Sequence, residues 1–600
     1  MKAPKDKYQE RKNKYGKLAE KQERYCSIIG YLRLAVFLIG LAISIVLYKY
    51  KFYYLCISSV LCTVILFFYV VYMHRRIWKN TRYSRVLHKI NEDCLKRFNE
   101  DWKSFNDMGE EFIDQQHNYS FDLDIFGRSS LFQWINTAIT FLGRQRLKEV
   151  LIERPNSSQE ILVRQAAVKE LVKKLSWRQR FQAEALMIGK ESENPEKIFQ
   201  WLESNYNDIL NPAVIALTRI LPIITILLGV SYLIGIVKYN IPLLMIFIQV
   251  ILLISGKSKI NPTLKLAERF AEDINAYRNM LKHIETQAFS SEYLLMLKDK
   301  LYSKEHISAS EQIKRFSRIA DSVSGRYNAF YAVLNLILML DYWYAIELEK
   351  WKSKYGYSFR TWLETIGELE YLSSLSVVGH DNPEWVMPKI YEGNPRILAE
   401  NVGHPLLGGK RVCNDIIIKE PETTILITGS NMSGKSTFLR TVGINLVMAY
   451  AGAPVCAEDF SCTLMEIYTS MRVSDNLEKS ISSFYAELLK IKSIVKASER
   501  GERVFFLLDE IFKGTNSADR HSGATILIKQ LSKAGNLGMV STHDLELGAL
   551  EKEKEAHLRN YHFTEFYKDN KIYFDYKLKS GISDTRNAVF LMRLAGISIE

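Results

Sequence analysis

Gly429-Ser430-Asn431-Met432-Ser433-Gly434-Lys435-Ser436-Thr437 follows the apolar run Thr424-Ile425-Leu426-Ile427 and opens a helical stretch from Phe438 to Tyr450. The run fits G-x-x-x-x-G-K-[ST], and strand–loop–helix is the setting that a phosphate-binding loop requires. Glycines let the backbone curl so that its N–H groups point at one spot, and the following helix N-terminus adds positive potential there. Lys435 would reach the β- and γ-phosphates of a nucleoside triphosphate, and Ser436 would hold Mg²⁺. Gly429, Asn431, Met432, Ser433, Gly434, Lys435, Ser436 and Thr437 are therefore the expected nucleotide contacts. A chance match in a Gly/Ser loop would lack the strand before it and the helix after it.

Downstream, Val504-Phe505-Phe506-Leu507-Leu508 is a continuous apolar run, as expected of a strand buried on both faces of a parallel sheet. It ends in Asp509-Glu510. The first carboxylate fits a Mg²⁺ ligand, and the second can polarise an attacking water. A further short apolar stretch, Leu537 to Val540, leads into Ser541-Thr542-His543-Asp544, where His543 can sense a γ-phosphate. These positions predict hydrolysis of ATP, with Glu510, Lys435 and His543 as catalytic groups and Ser436 and Asp509 on the metal.

The run from about Asn401 to the C-terminus resembles the ATPase domain of the MutS family of DNA mismatch-repair proteins. The resemblance is carried by Asn431-Met432, by Asp509-Glu510-Ile511 with Gly514-Thr515-Asn516-Ser517, by Ser541-Thr542-His543 and by His404-Pro405-Leu406-Leu407. Ser482-Ser483-Phe484-Tyr485-Ala486-Glu487 is similar to the family's Ser-Thr-Phe-x-x-Glu signature, which implies that Ser482 completes a partner subunit's ATP site in a dimer. The same segment also reads as a Ser-capped amphipathic helix start. Upstream, Asp124 to Phe132, Asn136-Thr137-Ala138 and Leu142 to Leu147 resemble the start of the MutS helical core, and Trp362 to Leu375 resembles its lever helix.

Several positions depart from the family pattern. Ser430 replaces a Pro, Phe512-Lys513 replaces Gly-Arg, Asp544 stands at an aromatic position and Ser480 at a Gly. None removes a catalytic group. No mismatch-reading domain is evident, and Phe98-Asn99-Glu100, a Phe-x-Glu match in a charged helical stretch, reads as chance. The chain stops at Glu600, where the family usually adds a dimerising helix pair, so direct mismatch recognition is not expected.

Two pairs of apolar segments predict membrane hairpins. Leu34 to Tyr48 and Tyr53 to Met73 are separated by Lys49-Tyr50-Lys51, and Ile220 to Val237 and Ile241 to Ser255 by Lys238-Tyr239-Asn240. A bilayer core of ~30 Å takes about 20 helical residues, which the longer run meets and the shorter ones approach. Phe330 to Leu340, shorter and holding Asn335, reads instead as a buried helix. Lys and Arg crowd the N-terminus and the stretches after each hairpin (Arg75, Arg76, Lys79; Lys257, Lys259, Lys265). Both hairpins are thus expected to enter from the cytoplasmic side of the cell membrane, with the ATPase domain in the cytoplasm.

The formal charge of +13 and pI of about 9.1 suit nucleic acid or anionic lipid, and span-flanking cations already explain much of the excess. Seven Cys residues without a Cys-x-x-Cys or His/Cys cluster predict reduced thiols and no zinc. The expected organisation is a basic N-terminus (1–30), a transmembrane hairpin (31–73), a juxtamembrane helical linker (74–128), a MutS-core-like helical segment (129–210), a second hairpin (211–256), a helical lever-like segment (257–395) and the ATPase domain (396–600). Tyr561 to Phe566 and Lys571 to Tyr576 read as edge strands, and Arg586 to Ile597 as a closing helix. The fold class is an α/β P-loop NTPase of the ABC/MutS type behind an all-α core and two membrane hairpins.

The resemblance implies a homodimer whose ATP-driven closure clamps duplex or branched DNA at the bilayer. One alternative is an ATP-dependent remodelling or structural factor acting on protein or lipid without DNA. An ABC-type transporter is a weaker match, because the signature lacks Leu-Ser-Gly-Gly.

Overall fold

The computed structural model describes residues 3–188, 194–204, 211–302, 306–326, 328–472, 483–533, 535–568 and 571–582. Two helices of equal length, Pro4–Lys49 and Tyr53–Phe98, form the first hairpin and pack along one another. Pro212–Leu233 and Asn240–Glu285 form the second. These four are long and apolar enough to cross a membrane, and only 11%, 6%, 22% and 11% of their most apolar windows are buried by protein. Their apolar faces are therefore not core faces.

Each long helix runs from its apolar segment straight into a charged extension, because no Gly/Pro cluster interrupts the helical pattern between them. The expected boundaries at 30/31, 73/74 and 256/257 thus fall inside continuous helices. Residues 99–128 depart from the expected helical linker. Beyond Phe98 the chain makes only short 3₁₀ turns, Asp101–Ser104 and Glu110–Phe112, with left-handed backbone at Glu100, Gly109 and Asp124. Phe98 closes a helix and Glu100 lies outside it, so the Phe-x-Glu tripeptide straddles a helix end.

The spine of the helical part is Leu340–Asp381, a helix of 42 residues that contains the lever-like stretch 362–375. Phe141–Ile152, Ser158–Lys173, Asn240–Glu285 and Ala309–Val323 pack around it. The expectation of a buried helix from Phe330 to Leu340 fails. The chain bends by 74° at Met339, and Phe330 and Val333 lie exposed beside the second hairpin. Asn335 Oδ1 accepts the Asp341 N–H at 2.8 Å while Asp341 accepts from the Tyr331 hydroxyl at 2.7 Å, so this polar pair starts a new helix instead of continuing the old one.

The C-terminal part holds a six-stranded sheet in the order Lys579–Ser580, Leu558–His562, Thr424–Thr428, Leu537–Thr542, Val504–Asp509, Glu466–Ser470. All neighbours pair in parallel except the terminal two-residue strand. Alternation explains the continuous apolar run: Phe505 and Leu507 face the large core shared with the helical part, and Phe506 and Leu508 face a second core under Ser483–Glu499 and Ser517–Lys533. The expected edge strand 561–566 resolves differently. Leu558–His562 lies inside the sheet beside Thr424–Thr428, whereas Glu565–Lys568 pairs antiparallel with Lys571–Phe574 in a separate hairpin. A four-stranded mixed sheet (Lys389–Tyr391, Asp459–Thr463, Arg396–Val402, Asn414–Lys419) joins the lever helix to the nucleotide domain. The stretch 586–597 lies outside the described residues.

Candidate nucleotide site

Strand Thr424–Thr428 delivers the chain into Gly429, whose φ of 145° and neighbours admit no side chain: a Cβ there would meet the Phe563 carbonyl at 2.9 Å. The loop closes at Lys435, the first residue of helix Lys435–Ala451. Lys435 Nζ donates to the carbonyls of Gly429 and Ser430, both at 2.9 Å, so the loop is held curled around its own lysine. Burial lowers the ammonium pKa, while Glu510 and Asp509 oppose that shift.

The acid pair arrives from the strand two places away, at the same carboxyl edge of the sheet. The intervening strand, Leu537–Thr542, supplies Ser541 and then His543. The Ser541 hydroxyl donates to Asp509, and the Ser541 carbonyl accepts the Glu510 N–H at 2.9 Å. Glu510 has a φ of 50°, a left-handed backbone that turns its carboxylate off the strand axis. Its oxygens lie 2.6 Å from His543 Nε2 and 2.8 Å from Lys513 Nζ. The hydrogen bond from His543 holds the Glu510 carboxyl down at about 2 despite burial, with Lys513 assisting. His543 Nε2 is also 3.5 Å from Lys435 Nζ. Lys435, Asp509, Glu510 and His543 are thus brought together at one edge of the sheet.

Asn431, Met432, Ser433, Gly434, Ser436 and Thr437 line a cavity of about 530 Å³ with Lys435 and Glu510. Its far wall is largely apolar, with Leu407, Val412, Phe438, Phe563 and Tyr576. Tyr576 was not legible as a site residue. Asn414 Nδ2 donates to its carbonyl at 3.0 Å and seats its ring beside Gly434. His404 also lines the cavity, its pKa lowered to about 4 by burial, and its Nδ1 caps the following 3₁₀ turn.

Of the signature-like segment, Ser482 lies outside the described residues, as does Ser480. Glu487, from the same segment, is buried and accepts the Phe512 N–H at 2.6 Å, while Phe484 packs its ring near that of Phe512. This segment therefore braces the loop that follows the acid pair. Asp544 accepts from His521 at 2.7 Å and caps the next turn through the Glu546 N–H. These two side chains and Glu546 come within ligand distance of one another.

A second group fixes the domain to the helical part. Asp124 accepts from Arg440 at 2.9 Å and from both Arg472 terminal nitrogens at 2.7 and 2.9 Å. Asp122, almost fully buried, accepts from Thr469 Oγ1 at 2.8 Å and from Lys490. The stretch beginning at Asp124, read only as the start of a helical core, is in this way a contact of the nucleotide domain.

Residues 425–599 match the family model of MutS domain V. The DNA mismatch repair protein MutS of Aquifex pyrophilus is 31% identical over 240 residues, covering 39% of this chain and 28% of that protein. The Clostridium perfringens protein of the same name is 34% identical over 252 residues (40% and 27%), and that of Methanosarcina mazei 29% over 267 residues (43% and 29%). The chain spans under a third of the length of these curated relatives. The family-model match lies in the C-terminal part, where the nucleotide domain is similar to domain V of MutS.

Proposed function

We propose that the chain is a membrane-anchored ATPase that works as a homodimer and closes on DNA in an ATP-dependent way. The observation that carries this reading is the convergence of Lys435, Asp509, Glu510 and His543 at one sheet edge, in a domain that matches MutS domain V. Relatives named as DNA mismatch repair proteins support DNA as the held partner. The four apolar helices and the cations flanking them support a multi-pass location in the cell membrane with the ATPase domain in the cytoplasm.

Asp509 and Ser436 offer hard oxygen donors of the kind that suits Mg²⁺, and these two residues would hold it. The bound metal supplies charge neutralisation of the phosphates. Lys435 would exchange its two carbonyl contacts for phosphate oxygens, and the cavity's apolar wall around Tyr576 would receive the base. Glu510 would leave Lys513 and orient water for in-line attack. His543, in contact with both Glu510 and Lys435, would report the state of the γ-phosphate to the acid pair. The partner's signature segment would close the site and couple the two domains.

The test is ATP turnover by the full chain in nanodiscs, with duplex, branched and single-stranded DNA across a salt series and Glu510→Gln as control. Stimulation by one DNA form, fading with salt and absent in the mutant, supports the clamp. Basal turnover indifferent to every DNA overturns it. That second outcome would favour a remodelling factor acting on protein or lipid. Such a reading draws on the tie between the first hairpin and the lever helix, where the Tyr8 hydroxyl donates to Asp381 at 2.6 Å.

A further inference from the structure

The charged extension of helix Pro4–Lys49 does not stand in solvent alone. Together with the helix Leu175–Leu186 and the end of Asn240–Glu285 it walls a cleft of about 660 Å³. Lys7, Arg11, Lys14, Lys173, Lys174 and Arg180 line that cleft against one carboxylate, Glu10. None of these helices contributes to the nucleotide cavity.

The cations differ from an ordinary solvated face in how few are neutralised. Lys7, Lys14, Lys173 and Arg180 have no carboxylate partner among the described residues. Arg11 is built into the wall: Nε donates to Gln179 at 2.7 Å and Nη1 to Ser176 at 2.9 Å, while Nη2 is buried without a hydrogen-bond partner. A guanidinium held in place through Nε and Nη1, inside an excess of positive charge, is a phosphate-type site.

Shape selects among anions. Arg180 and His283 belong also to a second groove that continues along the same helix to Gln22 and adds Lys79 and Lys282 with one carboxylate, Glu184. From Lys7 to Gln22 is about 15 residues, or roughly 22 Å of helix, an axial length over which each strand of a duplex carries about six phosphates. A compact phosphorylated molecule would not need that length. The Lys7–Lys14 end stands clear of lipid headgroups: the helix is unbroken, and Lys14 precedes the apolar run at Leu34 by about 20 residues, or roughly 30 Å, so that only the Lys79 end of the second groove comes near the apolar segments. Base reading is not offered, because Trp177 is buried and stacked against Phe181 and His283.

We infer that this cleft is a sequence-independent binding site for the phosphate backbone of DNA, separate from any clamp formed by the ATPase domains. The inference rests on the proposed action on DNA. It is tested on the full chain in phosphatidylcholine nanodiscs, using fluorescein-labelled duplex DNA and inorganic tripolyphosphate as probes. The variant K7Q/K14Q/K173Q/R180Q is compared with wild type, and unchanged ATP turnover without DNA shows that it is folded. The expected result is at least a tenfold loss of duplex affinity and a log–log salt slope shallower by about 3 to 4, the value for four phosphate contacts. Duplex binding by wild type that the variant keeps in full, with the same salt slope, would overturn the cleft and leave the DNA reading standing. No duplex binding by wild type at any salt would overturn both. Loss of tripolyphosphate binding alone, with duplex binding intact, would also overturn the inference by making the cleft a site for a small polyanion.

Discussion

Glu510 Oε1 lies 2.6 Å from His543 Nε2, with Lys513 Nζ 2.8 Å from the second carboxylate oxygen. The group expected to orient water is therefore engaged on both oxygens, and it must be released before it can act. Glu510→Gln should lower kcat by about 10²- to 10⁴-fold while fluorescent ATP still binds. A variant that turns over normally would remove Glu510 from the mechanism. The pH dependence follows from a folded-state value of about 2. A depressed carboxyl contributes stability above its unfolded value of about 4.3, and loses it as pH falls toward 2. Glu510 is thus ionised throughout the range from about pH 5 to 8, and an acid limb of turnover in that range should survive unchanged in Glu510→Asp.

Ser430 occupies the position where the MutS pattern has Pro, and its hydroxyl donates to the buried Glu565 carboxylate at 2.7 Å. A bond to a charged acceptor is worth about 1.5 to 3 kcal/mol. Ser430→Ala should therefore lower the thermal midpoint of the nucleotide domain. Lys435→Ala should behave differently, abolishing ATP binding with a smaller effect on the apo fold, because its partners are two loop carbonyls near the cavity. Equilibrium nucleotide binding and thermal unfolding on both variants separate the two roles.

Glu370, in the lever helix, is fully buried and accepts from the N–H groups of Ile139 and Thr140 and from the Thr140 hydroxyl. Burial pushes its carboxyl up to about 7, and those hydrogen bonds resist the shift. For a raised acid, the proton is bound more tightly in the folded state. Its contribution is complete below the unfolded value of about 4.3 and is lost as pH rises through about 7. Thermal midpoints of wild type should fall over that interval, and Glu370→Gln should flatten the profile. An unchanged slope in the variant would assign the effect elsewhere. Gly143→Ala should destabilise at every pH, since a Cβ there would sit 2.1 Å from Glu370 Oε2.

The nucleotide site was legible because its groups hang on the ends of apolar strands at fixed offsets, so strand type and motif spacing locate them together. What escaped the sequence are contacts between distant segments. Arg472 and Asp124 are 348 positions apart, and neither shows periodicity that would pair them. Lys513, noted only as a departure from the family pattern, turns out to hold Glu510. Apolar composition misassigned Phe330 to Leu340, because Asn335 and Asp341 redirect the chain and leave its apolar face outside the core. The stretch 561–566 was read as one edge strand because alternation within a segment does not reveal which strand it will lie beside. The four long apolar helices were legible for the opposite reason: their signal is local, and little protein covers them.

Tyr8 connects the first hairpin to the ATPase side of the molecule. Its side chain is fully buried, packs on Phe98, and places its hydroxyl 2.9 Å from His380 Nδ1 and 2.6 Å from Asp381 Oδ1. Burial together with Asp381 raises its pKa well above the ordinary tyrosine value, so the hydroxyl remains a donor at any physiological pH. His380 and Asp381 end the lever helix just before the strands that lead to the nucleotide loop. Movement of the lever must then either carry the N-terminal helix with it or break this bond. Tyr8→Phe keeps the ring and removes the donor, leaving Asp381, among the described residues, its 3.0 Å contact with His380 Nδ1. The cost expected for a bond to a charged acceptor is about 1.5 to 3 kcal/mol. Hydrogen exchange on the full chain in nanodiscs should show faster exchange near residues 4–20 and 375–381, and little change in the nucleotide domain. Protection unchanged at both ends would mean that Phe98 and the surrounding apolar contacts alone hold the helix to the lever.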